Sequence, residues 1–177
     1  MGRDNNGSMV RLESILDSWK TVREDTAQAV EDLPANELDF KPLADVMSFR
    51  EIAVHILAAG HGLTGMLLDG VESMAVPEFR QMIGKYVEQL PETSSTASLG
   101  QALRSAVEQR ATQLAAQPAG FYAQEITRFD GQRVTRLEML QTIKEHELTH
   151  RAQLFMYLRM KGILPPTTRR RLSKAKA

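Results

Sequence analysis

The chain has 177 residues, 42% of them hydrophobic and 25% charged, with no cysteine and four histidines. These proportions describe one globular domain and exclude a disordered or fibrous chain, while the missing cysteines exclude disulfides, thiolate-bound metals, iron–sulfur clusters and a cysteine nucleophile. The 22 basic and 22 acidic residues cancel, so no overall field attracts a nucleic acid.

Residues 1–8 (MGRDNNGS) are polar, precede a second methionine at Met9, and read as an expression-vector remnant. Residues 9–166 read as a single domain. The first helix is expected over about 10–33, where Leu12, Ile15, Leu16, Trp19, Val22, Ala29 and Leu33 form one apolar stripe that stops before Pro34. Ser48 with Glu51 is a capping box. It opens a second helix, about 48–68, whose stripe carries Ile52, His55, Ala59 and Leu63. Pro77 starts a shorter helix bearing Phe79, Met82, Ile83, Tyr86, Val87 and Leu90, which Pro91 ends. Ser98 with Gln101 is read as the cap of a helix over about 98–117, terminated by Pro118. Asp130-Gly131 suits a type I′ turn in a small hairpin spanning 126–134. Thr135 with Glu138 caps the last helix, about 135–161, and Gly162 closes it ahead of Pro165 and Pro166.

Four long helices, a short one and almost no strand predict an all-α fold, a four-helix bundle of up-down type. The last nine residues hold Arg169, Arg170, Arg171, Lys174 and Lys176 and no acid, which leaves the preceding body at −5. Residues 167–177 are accordingly expected to be a solvated, frayed basic tail. No apolar run is read as approaching the roughly 20 residues that span a membrane, and no signal peptide opens the chain. The expected location is cytoplasmic, with no membrane and no nucleic-acid partner.

His146 and His150 are four residues apart on the last helix, so both imidazoles project from one face, together with Met139, Ile143, Gln153 and Tyr157. The run His146-Glu147-Leu148-Thr149-His150 also spells the H-E-x-x-H signature of zincin peptidases. That reading needs a downstream third ligand, and residues 151–177 contain no histidine, aspartate or glutamate. Glu147, one turn before Arg151, is expected to form a helix-surface ion pair with it instead. The third ligand must then come from upstream. His55 lies on the inner stripe of the second helix, whereas His61 is turned about 120° from it and is read as partly exposed or hydrogen-bonded. Three histidines from two helices leave a coordination position open, as catalytic sites do. Imidazoles suit zinc, nickel, iron or copper alike. Gln153 is positioned to orient a ligand or a water, or to pack; Tyr157 and Trp19 are read as core. No residue is singled out as catalytic.

Leu38-Asp39-Phe40-Lys41-Pro42, Ser48 through His55, and the run His146-x-x-x-His150-Arg151-x-Gln153-Leu154 ahead of Gly162-Ile163-Leu164-Pro165-Pro166 resemble the DinB/YfiT-like metalloenzymes over about residues 10–166. The resemblance implies a four-helix bundle with a divalent metal held by His55, His146 and His150. It also implies a small-molecule substrate, a homodimer, and in some relatives a low-molecular-weight thiol such as bacillithiol or mycothiol. Ala152 departs from the family, where many members have glycine, and its methyl group is expected to tighten helix packing. The leading expectation is metal-dependent transferase or hydrolytic chemistry with a thiol or water in the open position. The alternative is a non-catalytic bundle stabilised by its metal; peptidase activity and nucleic-acid binding rank last.

Overall fold

A computed structural model describes residues 11–175; the vector-like segment 1–8 lies outside them. Within that range the long helices are α1 (Leu12–Asp32), α2 (Phe49–Leu68), α4 (Thr96–Ala115) and α6 (Arg136–Met160). Between and after them lie α3 (Phe79–Val87), α5 (Ala119–Ala123), the strands β1 (Glu125–Thr127) and β2 (Arg133–Thr135), and α7 (Pro166–Lys174). The expected all-α four-helix bundle is present. Helix α1 packs against α4 and α6, and α2 against the same two, so α1 and α2 face each other across the bundle.

Side-chain pairings set the directions. Lys20 meets Glu108 while Glu31 meets Arg104, so α1 and α4 are antiparallel. His55 meets His146 and Gly70 lies near Arg136, so α2 and α6 are antiparallel too. Arg50 reaches Thr93 just before α4, whereas His61 reaches Arg110 well inside it, so α2 and α4 run parallel. The alternation expected of consecutive helices therefore holds from α1 to α2 and from α4 to α6. It breaks between α2 and α4, because the segment 69–95, with α3 in it, is long enough to carry the chain back along the bundle.

Local signals account for most helix ends. Ser48 with Glu51 and Thr135 with Glu138 form complete capping boxes, as expected, and Gly162 closes α6 at φ 74°. The cap of α4 differs from expectation: Ser95 accepts from the Ser98 amide, and the helix starts at Thr96. Ser98 is thus the third helical residue, its hydroxyl serving where a glutamate would, and the Gln101 side chain reaches Ser105 instead. The hairpin pairs Glu125–Thr127 with Arg133–Thr135, but its turn is not type I′. Only Gly131 has positive φ, and the Gly131 amide donates to the Arg128 carbonyl, as in a three-residue loop ending in a left-handed glycine.

Two further expectations change. The basic tail is not frayed within the described residues: α7 returns to α1, where Arg170 sits 2.5 Å from Asp25 and Arg169 2.6 Å from Asp32. Acids on the facing helix turn a solvated charge run into a docked one. Helix α2 is also long and apolar enough to cross a membrane, with a mean hydropathy of 1.3, contrary to the sequence-based expectation. That window is 72% buried inside the bundle, and its glycines (Gly60, Gly62, Gly65) admit Arg23, Ile83 and Tyr86 at distances a Cβ would obstruct. Buried over most of its length beyond its first two turns, it is the bundle's core helix.

The core divides into two apolar clusters. One gathers Ile15, Leu16, Trp19, Leu63, Leu67, Leu114 and Ile143; the other gathers Val30, Phe49, Ile52, Leu99, Leu103, Leu154 and Leu158. Polar side chains lie between them, at mid-height in the bundle.

Candidate metal centre

His55 on α2 faces His146 and His150 on α6, and one ring nitrogen from each lies within 4.8 Å of the other two. Ring centroids are 4.5 to 4.8 Å apart, and every pair meets edge to face. The Nε2 atoms of His55 and His146 approach to 2.9 Å. Two ring nitrogens at that distance share a proton or a cation, because two lone pairs alone repel. All three residues are half-buried. Burial, reinforced by the other two imidazoles, pulls the His146 pKa down to about 4; burial, then His150, lowers that of His55. Both rings therefore offer neutral nitrogen, the form a metal needs.

The third histidine is oriented from outside. His150 Nδ1 lies 2.7 Å from Gln153 Oε1, and an amide oxygen only accepts, so the Nδ1 proton is held there and Nε2 is the nitrogen that could bind a cation. This is the usual arrangement by which a neighbouring acceptor selects the tautomer of a ligating imidazole. Gln153 thus realises the orienting role among its expected ones, one turn along α6 from the ring it holds. The three sequence-predicted ligands are brought together, and no fourth His, Asp or Glu joins the group among the described residues.

Glu147, between the two α6 histidines, points elsewhere. A one-residue step turns a helical side chain by about 100°, and this carboxylate enters the core between α1 and α6 at 2% exposure. Arg23 Nε and Nη2 donate to it at 2.7 and 2.9 Å, Trp19 Nε1 at 2.8 Å, and Thr26 Oγ1 at 3.3 Å. The surface pair with Arg151 is absent: Arg151 instead reaches Asp25 at 3.3 Å, the carboxylate that also holds Arg170. Glu147 is saturated by donors on the far side of the helix, so the peptidase reading loses its general base. This network was not foreseen. Arg23 one turn beyond Trp19, in the middle of an otherwise apolar stripe, was the available signal, since a cation there requires a buried acid.

His61 is turned away from the centre as expected, and of the two expected environments it takes the hydrogen-bonded one, buried in the core. Its Nε2 accepts from Arg110 Nη2 at 2.9 Å, while Arg110 Nε donates to the His61 carbonyl. Burial, with the charges of Arg110 and Arg23, brings its pKa to about 4. Trp19 is core, as read. Tyr157 is buried, with its hydroxyl donating to the Met47 carbonyl at 3.0 Å rather than entering the bundle.

A model of the DinB family matches residues 1–176. The chain belongs to the DinB family. No protein of curated function matches it. Among solved structures, a DinB-like protein of Bacillus subtilis, YjoA, is 24% identical at a TM-score of 0.65, with 84% of this chain and 92% of that one covered. YfiT of Bacillus subtilis, described as a probable metal-dependent hydrolase with an unusual four-helix bundle topology, is 15% identical at a TM-score of 0.64, covering 92% and 94%. A mycothiol-dependent maleylpyruvate isomerase is 16% identical at a TM-score of 0.61; 82% of this chain covers 61% of that one. At these identities the likeness is one of fold.

Proposed function

We propose that the protein is a metal-dependent enzyme acting on a small molecule, with His55, His146 and His150 as the ligands of one divalent ion. The observation that carries this reading is the donor set: three imidazoles from two helices, with no fourth His, Asp or Glu in the group among the described residues. Such a set suits zinc, nickel or iron and leaves room for an exchangeable ligand, whereas a structural zinc site is closed by four. A bound divalent ion lowers the pKa of a coordinated water or thiol and so provides a nucleophile at neutral pH.

The chain's own residues set the stage for that chemistry. Gln153 holds the His150 ring and its tautomer, and Ile52 and Ile56 on α2 and Ile143 on α6, each within one turn of a histidine, are buried in the core. A thiol nucleophile must arrive as a co-substrate, because the chain has no cysteine. A low-molecular-weight thiol or water in the open position, transferase or hydrolytic chemistry, a cytoplasmic location and a homodimer complete the proposal. The metal-dependent and thiol-dependent neighbours of the same fold support its chemical part.

The test is elemental analysis of protein purified without a histidine tag, alongside His146→Ala and His150→Ala. One divalent ion per chain, lost in both variants while their metal-free unfolding stays cooperative, is the expected result. A wild-type chain that neither retains nor takes up zinc, nickel or iron would sink the proposal.

A further inference from the structure

Beside the histidines lies a cleft of about 360 Å³ whose walls are Pro42, Val46, Met47, Ile52, Met156 and Tyr157, with Gln153 and Ala152 at its edge. None of these side chains carries a charge. The cleft is continuous with the metal centre through Gln153, which lines it and touches His150. Ile52 stands one turn before His55 on α2, and Gln153 and Met156 follow His150 on α6, so the apolar walls extend from the same two helices that carry the ligands. Ala152 is exposed there; its methyl group widens an apolar lip instead of tightening helix packing as the sequence suggested.

The outer wall is held in place rather than loose. Tyr157 donates its hydroxyl to the Met47 carbonyl and packs edge-on against Phe40 at 5.8 Å. The Phe40 carbonyl accepts from the Phe49 amide, and Lys161 covers the Phe40 ring at 4.0 Å. Ile52 and Tyr157 form its buried floor, while two of its side chains stay open to solvent: Met156 is 54% exposed and Met47 36%. Two solvated thioether side chains flanking a pre-formed uncharged groove are suited to an irregular apolar occupant.

Gln153 adds a polar element. Its Oε1 is committed to the His150 Nδ1 proton, so the amide can present only its Nε2 hydrogens to an occupant of the cleft.

We propose that the substrate of this centre is an acyl-type compound whose hydrocarbon arm lies in the cleft between residues 42–47 and α6, with a carbonyl or carboxylate oxygen taking a hydrogen bond from Gln153 Nε2. The proposal rests on the metal-dependent reading above for the position of the reacting group, but the cleft itself is built by the chain.

Two measurements separate the cleft from the metal. In zinc-loaded protein, calorimetry compares acetohydroxamate with octanohydroxamate, which share the metal-binding head and differ in the arm. The longer probe is expected to bind at least tenfold tighter, since each buried methylene contributes several-fold. Met156→Asp removes that preference, whereas Met160→Gln, an exposed residue outside the cleft, keeps it. In metal-free protein labelled at the methionine methyls, octanoate is expected to shift Met47 and Met156 and to leave the buried Met66 and Met74 in place. Equal affinity for the two hydroxamates overturns the proposal. If zinc, nickel and iron all fail to load, the metal-dependent reading falls and the methyl spectrum alone decides: shifts confined to Met47 and Met156 uphold the cleft, and their absence overturns it.

Discussion

Glu147 and its neighbour His146 occupy two regions of opposite character. On one side of α6, Glu147 is enclosed by Arg23, Trp19 and Thr26 and has no further capacity to bind anything. On the other, His146 meets His55 and His150 in a half-buried group that lacks a fourth protein donor. The difference shows how saturation separates a structural polar site from a reactive one. Donors and acceptors balance around Glu147, so it locks α1 to α6 between the two apolar clusters. Around the histidines three ring nitrogens converge within 4.8 Å of one another, an arrangement that a cation would join.

The contrast breaks most sharply at Glu147. Glu147→Ala leaves the Arg23 guanidinium buried without its counter-charge and is expected to lower the unfolding free energy by about 3–5 kcal/mol, measured by urea denaturation. An apolar pair, Arg23→Met with Glu147→Leu, should recover most of that loss. Should Glu147→Ala cost as little as an average surface substitution, the structural role assigned to this carboxylate would be wrong.

His61 offers a test by pH. Its folded pKa is about 4, below the ordinary value near 6.5, so the unfolded chain takes up a proton first as the solution is acidified. The stabilisation is complete above pH 6.5 and lost as the pH falls toward 4, by up to about 3 kcal/mol. His61→Gln keeps an acceptor for Arg110 and cannot titrate; relative to it, the wild type should weaken across that window. Parallel stability curves for the two proteins between pH 7 and 4 would contradict the assignment.

The open region responds differently. Gln153→Leu removes the acceptor that holds His150, and a loss of about 10- to 100-fold in metal affinity is expected. Because Gln153 is exposed, metal-free stability should change by no more than about 0.5 kcal/mol. Competition titration with a chromophoric chelator reads the first, thermal unfolding of the apoprotein the second. A variant that unfolds earlier but binds metal normally would make Gln153 a packing residue.

The smallest effect is expected at the docked C-terminal helix. Arg170→Ala should cost about 1 kcal/mol or less at low salt and nearly nothing at 1 M salt. Asp25 retains Arg151 in that variant, which limits the damage. A salt-independent loss would mean that α7 is held by packing instead.

Much of this architecture was legible in the residue order. The stripe from Ile15 to Leu33, the capping boxes at Ser48 and Thr135, and the glycine after α6 are local signals, each readable within one or two turns. The histidine pair was legible for the same reason, since four residues on a helix bring two side chains to one face. His55 could be chosen over His61 because it shares a stripe with Ile52 and Ala59. Glu147 and Arg151 differ from expectation because each is the other's plausible partner one turn away, and the basic tail because no acid lies near it in sequence. Their actual partners, Arg23 and Asp25, are more than 120 residues from Glu147 and Arg151, and a buried partner excludes a solvated one.

By itself, then, the sequence determined the four long helices and α3, the caps of α2 and α6 and which three imidazoles face inward, because these follow from helical periodicity and short-range hydrogen bonding; α5 and α7 carry no such signal. Tertiary structure alone decided that α2 and α4 run parallel, that Glu147 is enclosed, that α7 docks on α1 and that an uncharged cleft adjoins the histidines. Those features depend on which helix faces stay dry, and that is settled only when all four helices pack at once. The neutral charge balance shows the same division: the basic residues at the chain's end are partnered by acids on its first helix, an arrangement that composition cannot express.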